Sequence, residues 1–228
     1  MMIFRLIEAA CCLFSDGVVS YDIPQGERRG LDVDLSDATY DGLVTDAGRR
    51  LTGGLGQLTD GELGQSNFRI DRHGARGYEW IGWRRRDDPG DQADFVELSF
   101  GFDALRNFSN VSFHANNQFS RDVRVFRAAR LTFSGGGRDR SGLRSGTVNY
   151  AYLRDDVIEY ARIVTVSLQH QVGDHVTVRL YFDAKWILIS EVQFESGTEQ
   201  SHVSISINPL KTNSSNYYTL PSTSNLPF

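Results

Sequence analysis

Gln57 and Asp60 lie three residues apart inside the run Gly53-Gly-Leu-Gly-Gln-Leu-Thr-Asp-Gly-Glu-Leu-Gly64. Their side-chain oxygens, together with nearby carbonyls, are the hard donors that calcium prefers. Five glycines in these twelve positions exclude a regular helix or a flat strand, so the run is a shaped loop. The spacing is not that of an EF-hand, whose ligands come from one ~12-residue loop. A β-sandwich calcium site gathers its ligands from distant loops, and local spacing cannot close such a site. A plainer reading of the same residues stands beside it: Asp60-Gly61 as a turn, with Gln57 capping a backbone group.

The other residues capable of chemistry form weaker patterns. Gly77-Tyr-Glu-Trp-Ile-Gly-Trp83 alternates aromatics with small or polar residues, as a strand edge does. Trp80 and Trp83 there read either as a sugar-stacking platform of a lectin-like jelly roll or as core aromatics. The five histidines, at 73, 114, 170, 175 and 202, are scattered, and no His-Glu-x-x-His, Gly-x-Ser-x-Gly or P-loop motif is present. His170 and His175 flank an expected turn and read as surface residues. Asp155 and Asp156 are adjacent, so their carboxylates point apart and cannot flank one glycosidic bond. Asn107-Phe-Ser, Asn110-Val-Ser and Asn213-Ser-Ser fit the glycosylation sequon, a number little above chance for this length.

Composition bounds what must position these residues. Of 228 residues 40% are hydrophobic, including 14 Phe, 9 Tyr and 3 Trp, which supplies a sizeable core and excludes wholesale disorder. The net charge of −5 is spread in both signs without a basic stripe, which speaks against nucleic acid as a partner. Arg84-Arg-Arg86 is answered by Asp87, Asp88 and Asp91, and reads as a solvated hairpin around Asp88-Pro89-Gly90. Cys11 and Cys12 are adjacent and rarely bond each other in such a pair. No apolar stretch approaches the ~20 residues that cross a bilayer. The start, Met1 to Phe14, makes a poor signal peptide because Glu8 interrupts its apolar part.

Period-2 alternation dominates the chain. Leu98, Phe100 and Phe102 share one face, and Val176, Val178, Leu180 and Phe182 repeat the pattern, as do Val203, Ile205 and Ile207. Expected strands are Val18–Ile23, Leu31–Leu35, Tyr78–Trp83, Phe95–Phe102, Val111–Ala115, Val123–Arg127, Arg130–Phe133, Val148–Leu153, Arg162–Leu168, Val176–Phe182, Ile187–Phe194 and Val203–Ile207. Such strands with almost no helical period predict an all-β, antiparallel jelly-roll sandwich. Residues 135–146 read as a polar loop, and 209–228, rich in Ser, Asn, Thr and Pro, as an exposed linker.

Ordered segments resemble a known family. They include Ser36-Asp-Ala-Thr-Tyr-Asp-Gly42, Gly54 to Gly61, Gly77 to Trp83 and Phe102-Asp-Ala-Leu-Arg-Asn-Phe108. His114-Ala-Asn-Asn117, Arg162 to Leu168 and Trp186-Ile-Leu-Ile-Ser-Glu-Val192 continue the match. From about Cys12 to Phe194 the chain is similar to the second extracellular domain of the discoidin domain receptors, the collagen-binding receptor tyrosine kinases. The resemblance implies a discoidin-like sandwich over 13–208 that holds calcium. Its ligands would be the side chains of Gln57, Asp60 and Glu191 and the carbonyls of Glu62, Tyr78, Trp80 and Ser190. It implies a non-catalytic module on the extracellular side of the plasma membrane, with collagen bound by a preceding discoidin domain and a homodimeric parent receptor. Residues 1–12 would end that preceding domain, with Cys12 closing it, and 209–228 would begin the juxtamembrane linker. Asn107 matches a family glycosylation position, and Ser36 replaces a family Asn. The family's inter-strand disulfide would fall at Leu131 and Val178, which makes an aliphatic pair here, and Ala115 replaces a further cysteine.

Overall fold

The computed structural model describes residues 17–45, 49–72, 74–86, 94–135 and 146–198. The expected segment 1–12, the Asp88–Gly90 hairpin, the strand Val203–Ile207, the linker 209–228 and the sequon at Asn213 lie outside these residues, as do both cysteines and most of the polar loop at 135–146.

Strands account for nearly all the regular structure. In chain order they are β1 (Val18–Pro24), β2 (Arg28–Arg29), β3 (Val33–Asp34), β4 (Leu43–Thr45), β5 (Arg50–Gly54), β6 (Asp71–Arg72) and β7 (Ala75–Arg76). There follow β8 (Ile81–Arg84), β9 (Phe95–Ala115), β10 (Ala128–Ser134), β11 (Thr147–Ala151), β12 (Arg162–Tyr181) and β13 (Trp186–Thr198). The ladders are antiparallel, and an isolated bridge from Val123 to Trp186 is parallel. The fold is an all-β, antiparallel sandwich, as the alternation predicts, and it agrees with the discoidin-like sandwich that the resemblance implies.

Two long strands run through both layers. The first part of β9, Phe95–Gly101, pairs with β1 and with the second half of β12. Its later part, from Arg106 to Ala115, pairs with the first half of β12 and with β13. One layer therefore reads β11-β10-β12-β9-β1-β5-β4, and the other continues β12-β9-β13-β8. Phe194 of β13 closes the space between them, with ring centres 5.1 Å from both Phe100 and Phe102 and 5.9 Å from Phe108. The alternating residues Leu98, Phe100, Val176, Val178 and Leu180 all fall in this core, fully buried. A smaller cluster of Val33, Leu35, Phe68, Trp80, Val123, Trp186 and Leu188 sits beside it.

The expected strand boundaries need correction in five places. Phe95–Phe102 and Val111–Ala115 are one strand, and so are Arg162–Leu168 and Val176–Phe182 up to Tyr181. The turn expected near His170 is instead a bulged corner. Register slips between Ser167 and Gln171 and again between Gly173 and His175, and Gln169 and His170 take left-handed φ of 54° and 58°. Leu31–Leu35 shrinks to Val33–Asp34, and Tyr78–Trp83 to Ile81–Arg84. In the latter case Gly77, at φ 89°, makes a turn closed by Trp80 N–H donating to the Gly77 carbonyl. Val123–Arg127 forms no ladder, although Val125 and Phe126 are buried.

Leu131 of β10 lies directly opposite Val178 of β12, and both are fully buried. The aliphatic pair expected at these positions is therefore a cross-strand contact in the core. Phe194 is the wider keystone. Phe194→Ala should cost about 3–5 kcal/mol of unfolding free energy in urea melts. A loss below about 1 kcal/mol would contradict its place between the layers.

Candidate functional site

The loop from Gly53 to Gly64 has no ladder of its own beyond Gly54. A one-turn 3-10 helix, Gln57–Thr59, follows an extended Gly56 and ends at Asp60. Side chains from two distant segments, residues 37–40 and β13, hold it. Asp37 Oδ1 accepts from Gln57 N–H at 3.3 Å, and Asp37 Oδ2 accepts the Tyr21 hydroxyl. Tyr40 OH accepts from Gly54 N–H at 2.8 Å. Glu191 Oε2 accepts from Gly61 N–H at 3.1 Å, and Ser190 Oγ from Gly64 N–H, also at 3.1 Å. Gly61 takes φ 82°, a conformation that glycine adopts without strain.

Adjacent residues on a regular strand face opposite ways. Ser190 and Glu191 nonetheless both reach the same loop. The register between β13 and β9 slips here, Ile189 opposing Ala115 and Glu191 opposing His114. This bulge at Ser190 re-aims the pair. Ser190 Oγ also meets His114 Nδ1 at 2.6 Å, and the His114 ring stacks on Trp80 at 5.2 Å. Burial lowers the His114 pKa, so the ring is neutral at pH 7.

The sequence-derived candidates fall around this point. Gln57 is buried, its amide oxygen accepting from Ala38 N–H at 2.9 Å and its amide nitrogen facing the Tyr78 carbonyl. Asp60 and Glu62 are exposed at the loop surface, where Asp60 Oδ1 accepts from Glu62 N–H at 2.8 Å. Ser190 and Glu191 are buried. Tyr78 and Trp80 belong to the turn that faces Gln57 and Gly64. A Cβ placed on Gly64 would sit 2.5 Å from the Trp80 ring, so only glycine allows this approach.

Negative charge concentrates here: among the described residues the charged groups that act on the Glu191 carboxyl, Asp60 and Glu62, are both acidic. Glu191 Oε1 is shielded from solvent and has no hydrogen-bond partner among the described residues. Burial pushes the Glu191 carboxyl up to about 9, and the neighbouring Asp60 and Glu62 charges add to the rise. Asp60 is also raised, by desolvation and then by Glu62 and Asp37. Among the described residues no three His, Cys, Asp or Glu side chains gather closely enough to hold a metal by themselves.

The tryptophans settle one alternative. Trp80 is fully buried, its indole N–H donating to the Gln65 carbonyl at 3.1 Å. Trp83 is 3% exposed and donates to the Pro24 carbonyl at 2.7 Å. Neither offers an open face, so the sugar platform expected as one reading is replaced by core packing. Asp155 caps Val157 and Ile158 and pairs with Arg162 at 2.6 Å, and Asp156 pairs with Arg124 and Arg154. Asn107 and Asn110 sit half-buried on β9, their side chains hydrogen-bonded to His170 and Glu195.

Residues 17–196 match the model of the discoidin domain-containing receptor 1/2, DS-like domain. The chain belongs to this family. It is 33% identical over 192 residues to discoidin domain-containing receptor tyrosine kinase B of Caenorhabditis elegans, covering 83% of this chain and 22% of that protein. It is 33% identical over 200 residues to epithelial discoidin domain-containing receptor 1 of Rattus norvegicus, covering 86% and 21%. The chain thus spans about a fifth of the length of these curated relatives. Among solved structures, an F5/8 type C domain from Bacteroides fragilis is similar over 59% of this chain and 82% of its own, with a TM-score of 0.39 and 8% identity.

Sequence reasoning on this DS-like domain missed Asp37, Tyr21 and the Ser190 hydroxyl. Asp37 stands in the Ser36–Gly42 segment that carries part of the resemblance, which was the signal available for it. In ion-free protein the raised Glu191 pKa has a definite consequence. The folded state keeps a proton that the unfolded state releases above about 4.5, so this contribution to stability is full below about pH 4.5 and is lost as pH rises towards 9. Urea midpoints in chelator should therefore fall between about pH 5 and about pH 8 in the parent chain. Glu191→Gln should remove most of that fall. Equal falls in the two proteins would contradict the burial of an unpaired Glu191 carboxyl.

Proposed function

We propose that this DS-like domain is a calcium-stabilised, non-catalytic module of a receptor tyrosine kinase ectodomain. In this reading it couples a preceding collagen-binding discoidin domain to the membrane stalk of a homodimeric receptor, on the extracellular side of the plasma membrane. Family membership supports the receptor context. The observation that carries the calcium reading is the buried, unpartnered Glu191 Oε1 beside Asp60 and Glu62. A carboxylate left alone in such a place is costly, and it needs either a proton or a cation.

The donor set fits a hard divalent ion. Asp60 and Glu191 supply two negative charges against its two positive ones. The remaining ligands would be the Gln57 amide oxygen and the carbonyls of Glu62, Tyr78, Trp80 and Ser190. The Gln57 oxygen has a second lone pair and can serve an ion while it accepts from Ala38. All the donors are oxygens, as calcium requires. The ion's role would be structural. It would tie the glycine-rich loop, the Gly77 turn and β13 together, adding to the hydrogen bonds and to the packing of Leu58 and Trp80.

Calcium at about 100 times its dissociation constant should stabilise the folded chain by ~2.7 kcal/mol. That corresponds to a melting temperature roughly 5–11 °C above the chelated protein for a domain of this size. Asp60→Ala and Glu191→Gln should each abolish the difference. Superimposable melts with calcium and with chelator would sink the metal reading. Separately, joining a preceding discoidin domain to this chain should confer binding to triple-helical collagen that the chain alone lacks. Tight collagen binding by residues 1–228 alone would overturn that division of labour.

A further inference from the structure

A second polar site lies apart from the Glu191 loop, between the β2–β3 hairpin and the one-turn 3-10 helix Phe119–Arg121. A pocket of about 230 Å³ opens there, lined mainly by Arg29, Asp32, Val33, Phe68, Arg69 and Arg121. We propose that it is a carboxylate-binding pocket that takes an acidic side chain from a protein partner.

Arg29 is its centre. The guanidinium carbon lies 5.3 Å from the ring centres of both Phe68 and Trp186, two aromatics of the smaller core that are almost fully buried. Two rings fix the head group in place, and each cation–π contact compensates part of its lost hydration. Nη2 donates to the Arg121 carbonyl. Nη1 is shielded from solvent and has no hydrogen-bond partner among the described residues. A guanidinium carries five donors, and one left buried and unmet is costly. Burial accordingly lowers the Arg29 pKa, with Arg121 and Arg69 adding to the effect and Asp122 opposing it.

The acid that lines the pocket does not meet this need. Asp32 Oδ2 is held by Arg69 and Arg76 at 2.9 Å each. The site is thus a rigid guanidinium with unmet donor capacity, flanked by further arginines. Its natural complement is one planar carboxylate, which matches the guanidinium fork.

Size and charge select the source of that carboxylate. The volume equals about eight waters at ~30 Å³ each, which suits one side-chain head. A polysulfated chain needs a basic stripe, whereas Asp32 and Asp34 stand beside this pocket and the whole chain carries a net −5. Leu31, at the hairpin tip, is completely exposed beside Asp32 and Val33. An apolar residue next to an acidic one in a peptide would cover it. The pocket uses none of the proposed calcium ligands, so the inference stands independently of the metal reading.

The test is a titration of the isotope-labelled 228-residue chain, in calcium throughout, following the Arg29 side-chain nitrogen signals. The probes are acetate, acetyl-Leu-Glu-Leu-amide and the matching Gln peptide. Acetate should shift Arg29 saturably, the Glu peptide should bind at least about tenfold more tightly, and the Gln peptide should not bind; tenfold is ~1.4 kcal/mol. Arg29→Lys, which keeps a cation between the rings, should lose at least about tenfold in affinity for the Glu peptide while its fold is verified by an unchanged melt. Arg121→Gln should weaken binding severalfold. An Arg29 signal unmoved by acetate and by the Glu peptide would overturn the proposal. Equal binding of the Gln peptide, or tighter binding of sialyllactose or a heparin oligosaccharide at Arg29, would also overturn it.

Discussion

The Glu191 carboxylate reaches back along the sequence to the Gly61 N–H, and the site depends on that contact. The loop it grips cannot hold itself. Its glycines give shape but no side-chain packing, and its one helical turn is too short to be stable alone. Order comes from outside, through the burial of Leu58 in the main core and through hydrogen bonds from Asp37, Tyr40, Ser190 and Glu191. The hydrogen bonds arrive from two distant segments, Asp37–Tyr40 and β13. Burying Glu191 to make this grip leaves its second oxygen without a hydrogen-bond partner among the described residues, and that oxygen is the basis of the proposed calcium site.

The sheet architecture makes the grip possible. β13 is covered on both faces over Trp186–Val192, by the aromatic core on one side and by the loop and the smaller cluster on the other. That leaves no solvated face, and the carboxylate is carried inward by the strand. The bulge at Ser190 then turns two neighbouring side chains towards one loop. The long strands β9 and β12 supply the rigid background, because each crosses from one layer to the other without a break. His114, near the end of β9, completes the wall by stacking on Trp80 and bonding Ser190.

The core was more legible in the sequence than the site. Leu98, Phe100 and Phe102, or Val176 to Phe182, alternate because one face is buried and the other wet, and period 2 records that directly. Where β9 and β12 bend, the residues that pair lack alternation, and the strands looked broken in two. The bulge and the left-handed Gln169 and His170 leave no mark that local pattern can read. Trp80 and Trp83 illustrate a different limit: composition marks them as important but does not say which face is covered. Gln57 and Asp60 were visible by type and spacing. Glu191 was not, since its relation to them exists only after β13 docks, and only family resemblance pointed to it. Asp37 and Tyr21 form a buried pair whose role depends on the same long-range closure.

The central claim is that the Glu191 oxygen faces a cation. Anomalous diffraction from crystals of this chain grown in calcium addresses it most directly. The account predicts one anomalous peak at about 2.3–2.6 Å from carboxylate oxygens of both Asp60 and Glu191. A clear map with no peak there, and Glu191 Oε1 facing protein atoms alone, would contradict it.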